Sequence, residues 1–149
     1  MPDRIRIRVE EQADLSHVTN LYGHLNPGDT LPPADVARDV WTRIQQYAGL
    51  LILLGEIDGR AVTTCSLVIV PNLTRGGRSY AVIENVVTHP DFRKQGLGTA
   101  ILAEAVRRAR EADCYKVVLT TGSKRESTLS FYEKAGFSRN SRTAFELRF

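Results

Sequence analysis

Alternating apolar and charged residues open the chain and predict a half-buried first strand. Ile5, Ile7 and Val9 alternate with three arginines, which is the two-residue period of a strand with one covered face. Apolar residues then recur at helical spacing behind Asp14, which we expect to be a helix N-cap, and again from about 33 to 47. These patterns predict one strand followed by two helices.

The middle of the chain has the pattern of a β-hairpin and a further strand. Two apolar segments, 50–57 and 61–70, are joined by Asp58 and Gly59, a dipeptide that favours a tight hairpin turn. The apolar segment 80–88 follows a polar loop and predicts the next strand.

The last third of the chain alternates between helical and extended patterns. We expect a helix ending near Asp113, a strand over 115–121, a short helix over 127–135 and a last strand within 137–149. The order β-α-α-β-β-β-α-β-α-β predicts one α/β domain over 1–149. In it, helices cover both faces of one mixed, mostly antiparallel sheet.

Composition places the 149 residues in the globular class, because 42% are hydrophobic and 25% are charged. We see neither an apolar run long enough to span a bilayer nor an export segment, so we expect no membrane partner and a cytoplasmic location. Cys65 and Cys114 lack metal-ligand spacing and predict free thiols. His17 and His24 share a helix face without further ligands, so no metal is expected.

The formal net charge is +3 and the isoelectric point is about 9.1. No basic stripe with interleaved aromatic residues is visible, so we expect no nucleic-acid partner. A mild cationic excess also suits a ligand that carries phosphates.

The strongest functional signal is a glycine-containing turn between a strand and a long helix. Gly96 and Gly98 allow a ligand to approach the backbone, and the following helix directs unpaired N–H groups and its positive dipole end at the turn. Arg93 and Lys94 add positive charge. The pattern predicts a phosphate site. It lacks the P-loop lysine motif, and Ile101 stands where a dinucleotide fingerprint needs a third glycine.

Two motifs carry a resemblance to a known family. Arg93-x-x-Gly96-x-Gly98 resembles the coenzyme signature of the GNAT N-acetyltransferases, and Tyr132-Glu133-Lys134-Ala135-Gly136-Phe137 is similar to a segment found downstream in that family. The resemblance implies acetyl-CoA as co-substrate and a sheet splayed between strands 4 and 5, which a bulge near Glu84 and Asn85 would help to open. It implies the following coenzyme-binding residues: Val86, Val87, Thr88, Arg93, Lys94, Gln95, Gly96, Leu97, Gly98, Thr99 and Thr128. Ser127, at the end of a polar run, is a further candidate, and a solvated loop is its alternative.

The resemblance also suggests catalytic residues. Glu84 is a candidate base for the amine, although a strand glutamate that only faces water would look the same. An N–H of Val86 or Val87 would stabilise the oxyanion. Tyr132 is a candidate acid for the leaving thiolate, and its alternative is a core tyrosine.

The acceptor is less defined than the coenzyme. The segments Cys114–Leu119 and Phe131–Phe137 are similar to glucosamine-6-phosphate N-acetyltransferases, but Asn85 stands where those enzymes tend to have aspartate. The expected acceptor is therefore a primary amine of a small molecule or peptide. A non-catalytic acetyl-CoA sensor is the alternative from another class, and the resemblance makes a homodimer an expectation.

Overall fold

The computed structural model describes residues 4–149. The chain forms two compact units, of which the first ends at Val118 and the second begins at Leu119. The first unit contains β1 (Arg6–Val9), α1 (Leu15–Tyr22), α2 (Ala34–Gln46), β2 (Leu50–Ile57), β3 (Arg60–Val70), the short helical turn α3 (Thr74–Gly77), β4 (Tyr80–Thr88), α4 (Leu97–Glu111) and β5 (Val117–Val118). The second contains α5 (Glu126–Lys134). That 1–149 form one domain stays a prediction.

One mixed sheet organises the first unit, as the sequence predicts. Its strand order is β1-β2-β3-β4-β5, with antiparallel neighbours except for the parallel pair β4 and β5. That parallel ladder contains only Ala81↔Val117 and Val82↔Val118. The rest of β4 therefore runs on without a β5 partner, in keeping with the expected splay.

Helices cover both faces of this sheet. Ile52 and Leu54 of β2 pack into one cluster with Leu21 of α1 and Trp41 of α2. Leu53 lies between them in sequence, so it points to the opposite face, and it is fully buried. The long helix α4 packs against β2, β3 and β4.

The apolar face of α4 explains that packing. Six of its residues are at most 3% exposed, and they recur at helical spacing: Leu97, Ala100, Ile101, Leu102, Ala105 and Ala109. Arg108 and Arg110 lie in its last turn, where positive charge complements the helix dipole. Every helix within residues 4–149 is too short or too polar to cross a bilayer.

Asp14 is the N-cap residue of α1 by position, as expected, but its side chain does not cap that helix. Its carboxylate makes no capping hydrogen bond to α1. It accepts instead from the backbone N–H of Glu11 at 2.7 Å and from both terminal nitrogens of Arg8, at 2.6 and 2.9 Å. The guanidinium outcompetes the helix N–H groups because it offers a charged, two-pronged donor.

The predicted last strand is also absent. Residues 135–149 contain no strand, and the strand expected over 115–121 is limited to Val117–Val118. Phe145, Leu147 and Phe149 alternate as in a strand but are 79% exposed or more. A strand with this alternation forms stably only when its apolar face is buried, and no other part of this segment packs against that face.

Candidate functional site

A β-bulge in β4 shapes the edge of the sheet. Thr64 pairs with Val87 and Ser66 pairs with Glu84, so Cys65 alone lies opposite both Asn85 and Val86. Asn85 takes the left-handed conformation, with φ of 52°. This confirms the bulge expected near Glu84 and Asn85. A bulge removes local backbone groups from the ladder and increases the strand twist.

The bulge is held from α1 by Tyr22. Its hydroxyl lies 3.4 Å from Ser66 Oγ and is also hydrogen-bonded to the side chain of Asn85. Burial raises the pKa of Tyr22, so the hydroxyl stays protonated near neutral pH. Sequence reasoning missed this residue because its partners lie 44 and 63 positions away.

Glu84 occupies the position directly before the bulge, and it is exposed. A carboxylate there is open to an incoming amine, and it is equally open to water. Its proposed role as a base therefore stays a prediction, supported by its place at the point where β4 departs from regular pairing.

The turn after β4 is fixed by its own side chains. His89 Nδ1 accepts from the backbone N–H of Asp91 at 3.2 Å, and a 3₁₀ turn spans Pro90–Phe92. Arg93 Nε donates to the carbonyl of Thr88 at 3.0 Å. Lys94 and Gly96 then take positive φ angles of 59° and 79°, and the chain turns sharply into α4.

The N-terminus of α4 presents backbone N–H groups without intrahelical acceptors. Gly96 is the N-cap and supplies no side-chain cap, while its carbonyl accepts from Ala100 N–H at 3.0 Å. The N–H groups of Leu97, Gly98 and Thr99 therefore precede the first intrahelical hydrogen bond. Three such donors at the positive end of a 15-residue helix suit a pyrophosphate.

The structure brings most of the predicted coenzyme residues together in one continuous segment. Val86, Val87 and Thr88 end β4, and residues 93–99 form the turn and the first turn of α4. Ser127, Thr128 and Tyr132 lie on α5 in the second unit. There Ser123 Oγ donates to Thr128 Oγ1 at 3.2 Å, and Tyr132 packs edge-on against Phe131. The contribution of these three residues to the site stays a prediction.

Both cysteines are free, as expected, and both are buried. Desolvation raises the pKa of the Cys65 thiol to about 12, which makes it a poor nucleophile near neutral pH. Within the described residues, His, Cys, Asp and Glu side chains form no group of three that is placed to hold a metal ion.

Comparison with known proteins gives consistent results. A sequence profile of the acetyltransferase (GNAT) family matches residues 17–137. Glucosamine 6-phosphate N-acetyltransferase of Trypanosoma brucei brucei is 36% identical over 138 residues, which cover 93% of this chain and 92% of that protein.

Two solved structures extend the comparison to the fold. One, from Agrobacterium tumefaciens str. C58, is 39% identical with a TM-score of 0.93, and the match covers 97% of this chain and 99% of that one. Glucosamine-6-phosphate N-acetyltransferase from Arabidopsis thaliana is 26% identical with a TM-score of 0.82, over the same shares of the two chains.

Proposed function

The chain belongs to the acetyltransferase (GNAT) family, and on this premise we propose that it transfers an acetyl group from acetyl-CoA to a primary amine by direct attack in a ternary complex. The observation that carries the proposal is the uncapped N-terminus of α4 beside a bulged strand. When bound, acetyl-CoA supplies the acetyl group as a reactive thioester.

The coenzyme would be held by backbone groups along a single path. The free N–H groups of Leu97, Gly98 and Thr99 would bind the pyrophosphate, and the cationic side chain of Lys94 lies beside them in sequence. The part of β4 that β5 leaves unpaired, Val86 to Thr88, would pair with the pantetheine arm as an added strand does.

Glu84 would act as the base for the attacking amine. An alkylamine with a pKa of about 10.4 is almost fully protonated at pH 7, so a carboxylate that accepts its proton, directly or through water, increases the reactive fraction. A backbone N–H of Val86 or Val87 would stabilise the carbonyl oxygen as its negative charge grows. Tyr132 would protonate the departing thiolate.

We propose that the acceptor is a small molecule or peptide with a primary amine. Glucosamine 6-phosphate is the second candidate, favoured by the relative from Trypanosoma brucei brucei, which matches nearly end to end. Asn85 is a reason to test acceptors other than amino sugars. Its amide is hydrogen-bonded to Tyr22 and carries no charge with which to orient an amino sugar.

The cytoplasm and a homodimer complete the proposal. Two buried free thiols suit a reducing compartment. The exposed apolar side chains Phe145, Leu147 and Phe149 suit burial against a second copy of the chain.

Release of CoA thiol tests the proposal, with acetyl-CoA and a panel of amino sugars, polyamines, aminoglycosides and peptides. Gly96→Glu should weaken coenzyme binding by about tenfold or more in calorimetry, because it places bulk and negative charge at a left-handed N-cap. Glu84→Gln should bind coenzyme normally and lose about a hundredfold in turnover. That loss should shrink as the pH approaches the pKa of the amine, where the acceptor deprotonates unaided.

Glu111→Gln is the matched control. It also removes one exposed carboxylate, but at the far end of α4, about 20 Å from the turn, and it should leave both measurements unchanged. Normal coenzyme binding by Gly96→Glu would contradict the assigned site, and unchanged turnover by Glu84→Gln would remove the proposed base.

A further inference from the structure

A cleft on the α1 side of the first unit brings together all three histidines of the chain. It has a volume of about 520 Å³ and is lined by His17 and His24 from α1, by Arg60 at the start of β3 and by His89 after β4. None of these residues belongs to the turn of 93–99 that the acetyl-transfer proposal uses.

Arg60 brings an uncompensated positive charge to this cleft. Its guanidinium lies 5.1 Å from the centre of the Phe92 ring, and its Nη2 lies 3.2 Å from His89 Nε2. Across residues 4–149 it forms no ion pair with a carboxylate. The aromatic ring fixes the orientation of the guanidinium, and most of its five N–H donors remain available.

His89 is surrounded by more donors than it can satisfy. Its Nδ1 faces the backbone N–H of Asp91 at 3.2 Å, while its Nε2 faces Arg60 at 3.2 Å. A neutral imidazole accepts at only one nitrogen, and an imidazolium at neither. In every protonation state at least one of these two donors therefore faces a ring nitrogen that cannot accept from it, and an anion in the cleft would offer it an acceptor.

The remaining histidines add to this excess of donors. The ring of His24 meets that of His89 edge-on, with centroids 4.7 Å apart. His17 Nδ1 lies 3.0 Å from Asp14 Oδ1, and the same carboxylate pairs with Arg8, which Asp14 shares with Glu56. A ligand with several anionic oxygens matches this set, because Arg and His side chains donate to phosphate in charge-assisted hydrogen bonds.

We propose that this cleft binds a small molecule through its phosphate group, with the phosphate oxygens between Arg60, His24 and His89. The volume exceeds what a phosphate ion needs, so the cleft also has room for the organic part of a phosphomonoester. The site differs from that of the phosphate of an amino-sugar acceptor, because His89 follows the end of β4 and lies five residues beyond Glu84, about 13 Å along the strand direction once the bulged residue is left out. The site does not depend on the proposed acetyl transfer.

An NMR titration of the full-length protein tests the proposal. The three histidines give three sets of imidazole resonances that can be followed separately. Inorganic phosphate and glycerol 2-phosphate are added in separate series, each against chloride of matched ionic strength. His24 and His89 should shift in both series, with glycerol 2-phosphate binding at least as tightly as inorganic phosphate. Arg60→Gln should weaken both by about tenfold.

Two variants act as controls. Arg43→Gln removes an exposed arginine of α2 and should leave the titration unchanged. Gly96→Glu damages the proposed coenzyme turn and should also leave the shifts of His24 and His89 intact. A titration lost in Gly96→Glu but retained in Arg60→Gln would assign the phosphate to the turn and overturn the cleft site.

Sulfate allows the pH to be changed without changing the charge of the ligand, because it remains a dianion between about pH 6 and 8. Any change in affinity over this range, in which histidine side chains in general gain or lose a proton, then comes from the protein. Affinity should rise several-fold as the pH falls. The charged groups that face the imidazoles are Asp14 beside His17, and Asp91 and Arg60 beside His89; Asp58 is paired with Arg4. Equal sulfate affinity at both ends of this range, or shifts that chloride reproduces, would overturn the proposal.

Discussion

Asp14 is a buried carboxylate whose main charged partner is Arg8. Its residue is 3% exposed, and hydrogen bonds from Arg8 hold the pKa of this carboxyl well below its usual range. Arg8 also binds Glu56 at 2.6 Å, so one guanidinium joins β1, β2 and the turn before α1. This network stabilises the first unit at the residue scale.

Asp14→Asn should therefore destabilise the protein by about 2 kcal/mol at pH 7, as expected for the loss of charge-assisted hydrogen bonds. A lowered native pKa means that the unfolded state binds more protons, so the contribution is complete above the unfolded pKa of about 3.9 and declines as the pH falls below it. Urea unfolding at pH 7 and at about pH 3 should show the difference between Asp14→Asn and the wild type shrinking at the lower pH.

Asp58→Asn is the matched control, because it also breaks an aspartate–arginine pair. Asp58 meets Arg4 at 2.8 Å, but both side chains are at least 70% exposed, and such pairs contribute about 0 to 1 kcal/mol. Equal losses in the two variants would mean that the burial of Asp14 does not strengthen its pair.

At the scale of elements, β4 and α4 build the candidate coenzyme site with backbone rather than with side chains. Residues 80–88 read as a strand from their apolar pattern, and two polar residues within it indicate an irregularity. The sequence could not specify how the bulge is held, since that depends on Tyr22 and Ser66 from distant parts of the chain.

The left-handed conformation of Asn85 gives a test of the bulge. Asn85→Val should be less stable than Asn85→Gly by about 1 kcal/mol, because a β-branched residue is disfavoured at positive φ and glycine is not. Both variants lose the amide that bonds Tyr22, so their difference isolates the backbone conformation. Urea unfolding and turnover should both rank glycine above valine; the reverse order would show that the bulge relaxes without cost.

At the scale of the whole molecule, the C-terminal segment has apolar residues that are not covered. Phe145 and Leu147 are 95% and 79% exposed, and burying each one would contribute about 1.5 to 3 kcal/mol. This supports the proposed homodimer, in which a second copy provides the cover.

Sedimentation at a series of concentrations tests that assembly. The wild type should be a dimer, and Phe145→Asp combined with Leu147→Asp should weaken association by at least about tenfold, since both charges would have to be buried. Leu73→Asp is the control, because Leu73 is 97% exposed outside this segment and should not affect the dimer. A monomeric wild type would contradict the proposal.

Local patterns determined most of this protein. Alternation and helical periodicity depend on neighbouring residues, so they gave the strands up to β4, the main helices, and the glycine turn with its helix N-terminus. Two short motifs were enough to identify the family, because each motif lies within a few consecutive residues.

Tertiary structure decided what depends on residues far apart in the chain. The Asp14 carboxylate pairs with Arg8 and does not cap the helix. The side chain of Asn85 is hydrogen-bonded to Tyr22. One cleft is lined by His17, His24, Arg60 and His89. The tertiary structure also left the expected last strand unformed. Each of these outcomes depends on whether residues distant in sequence come into contact in the folded chain. A pattern of neighbouring residues does not encode such contacts.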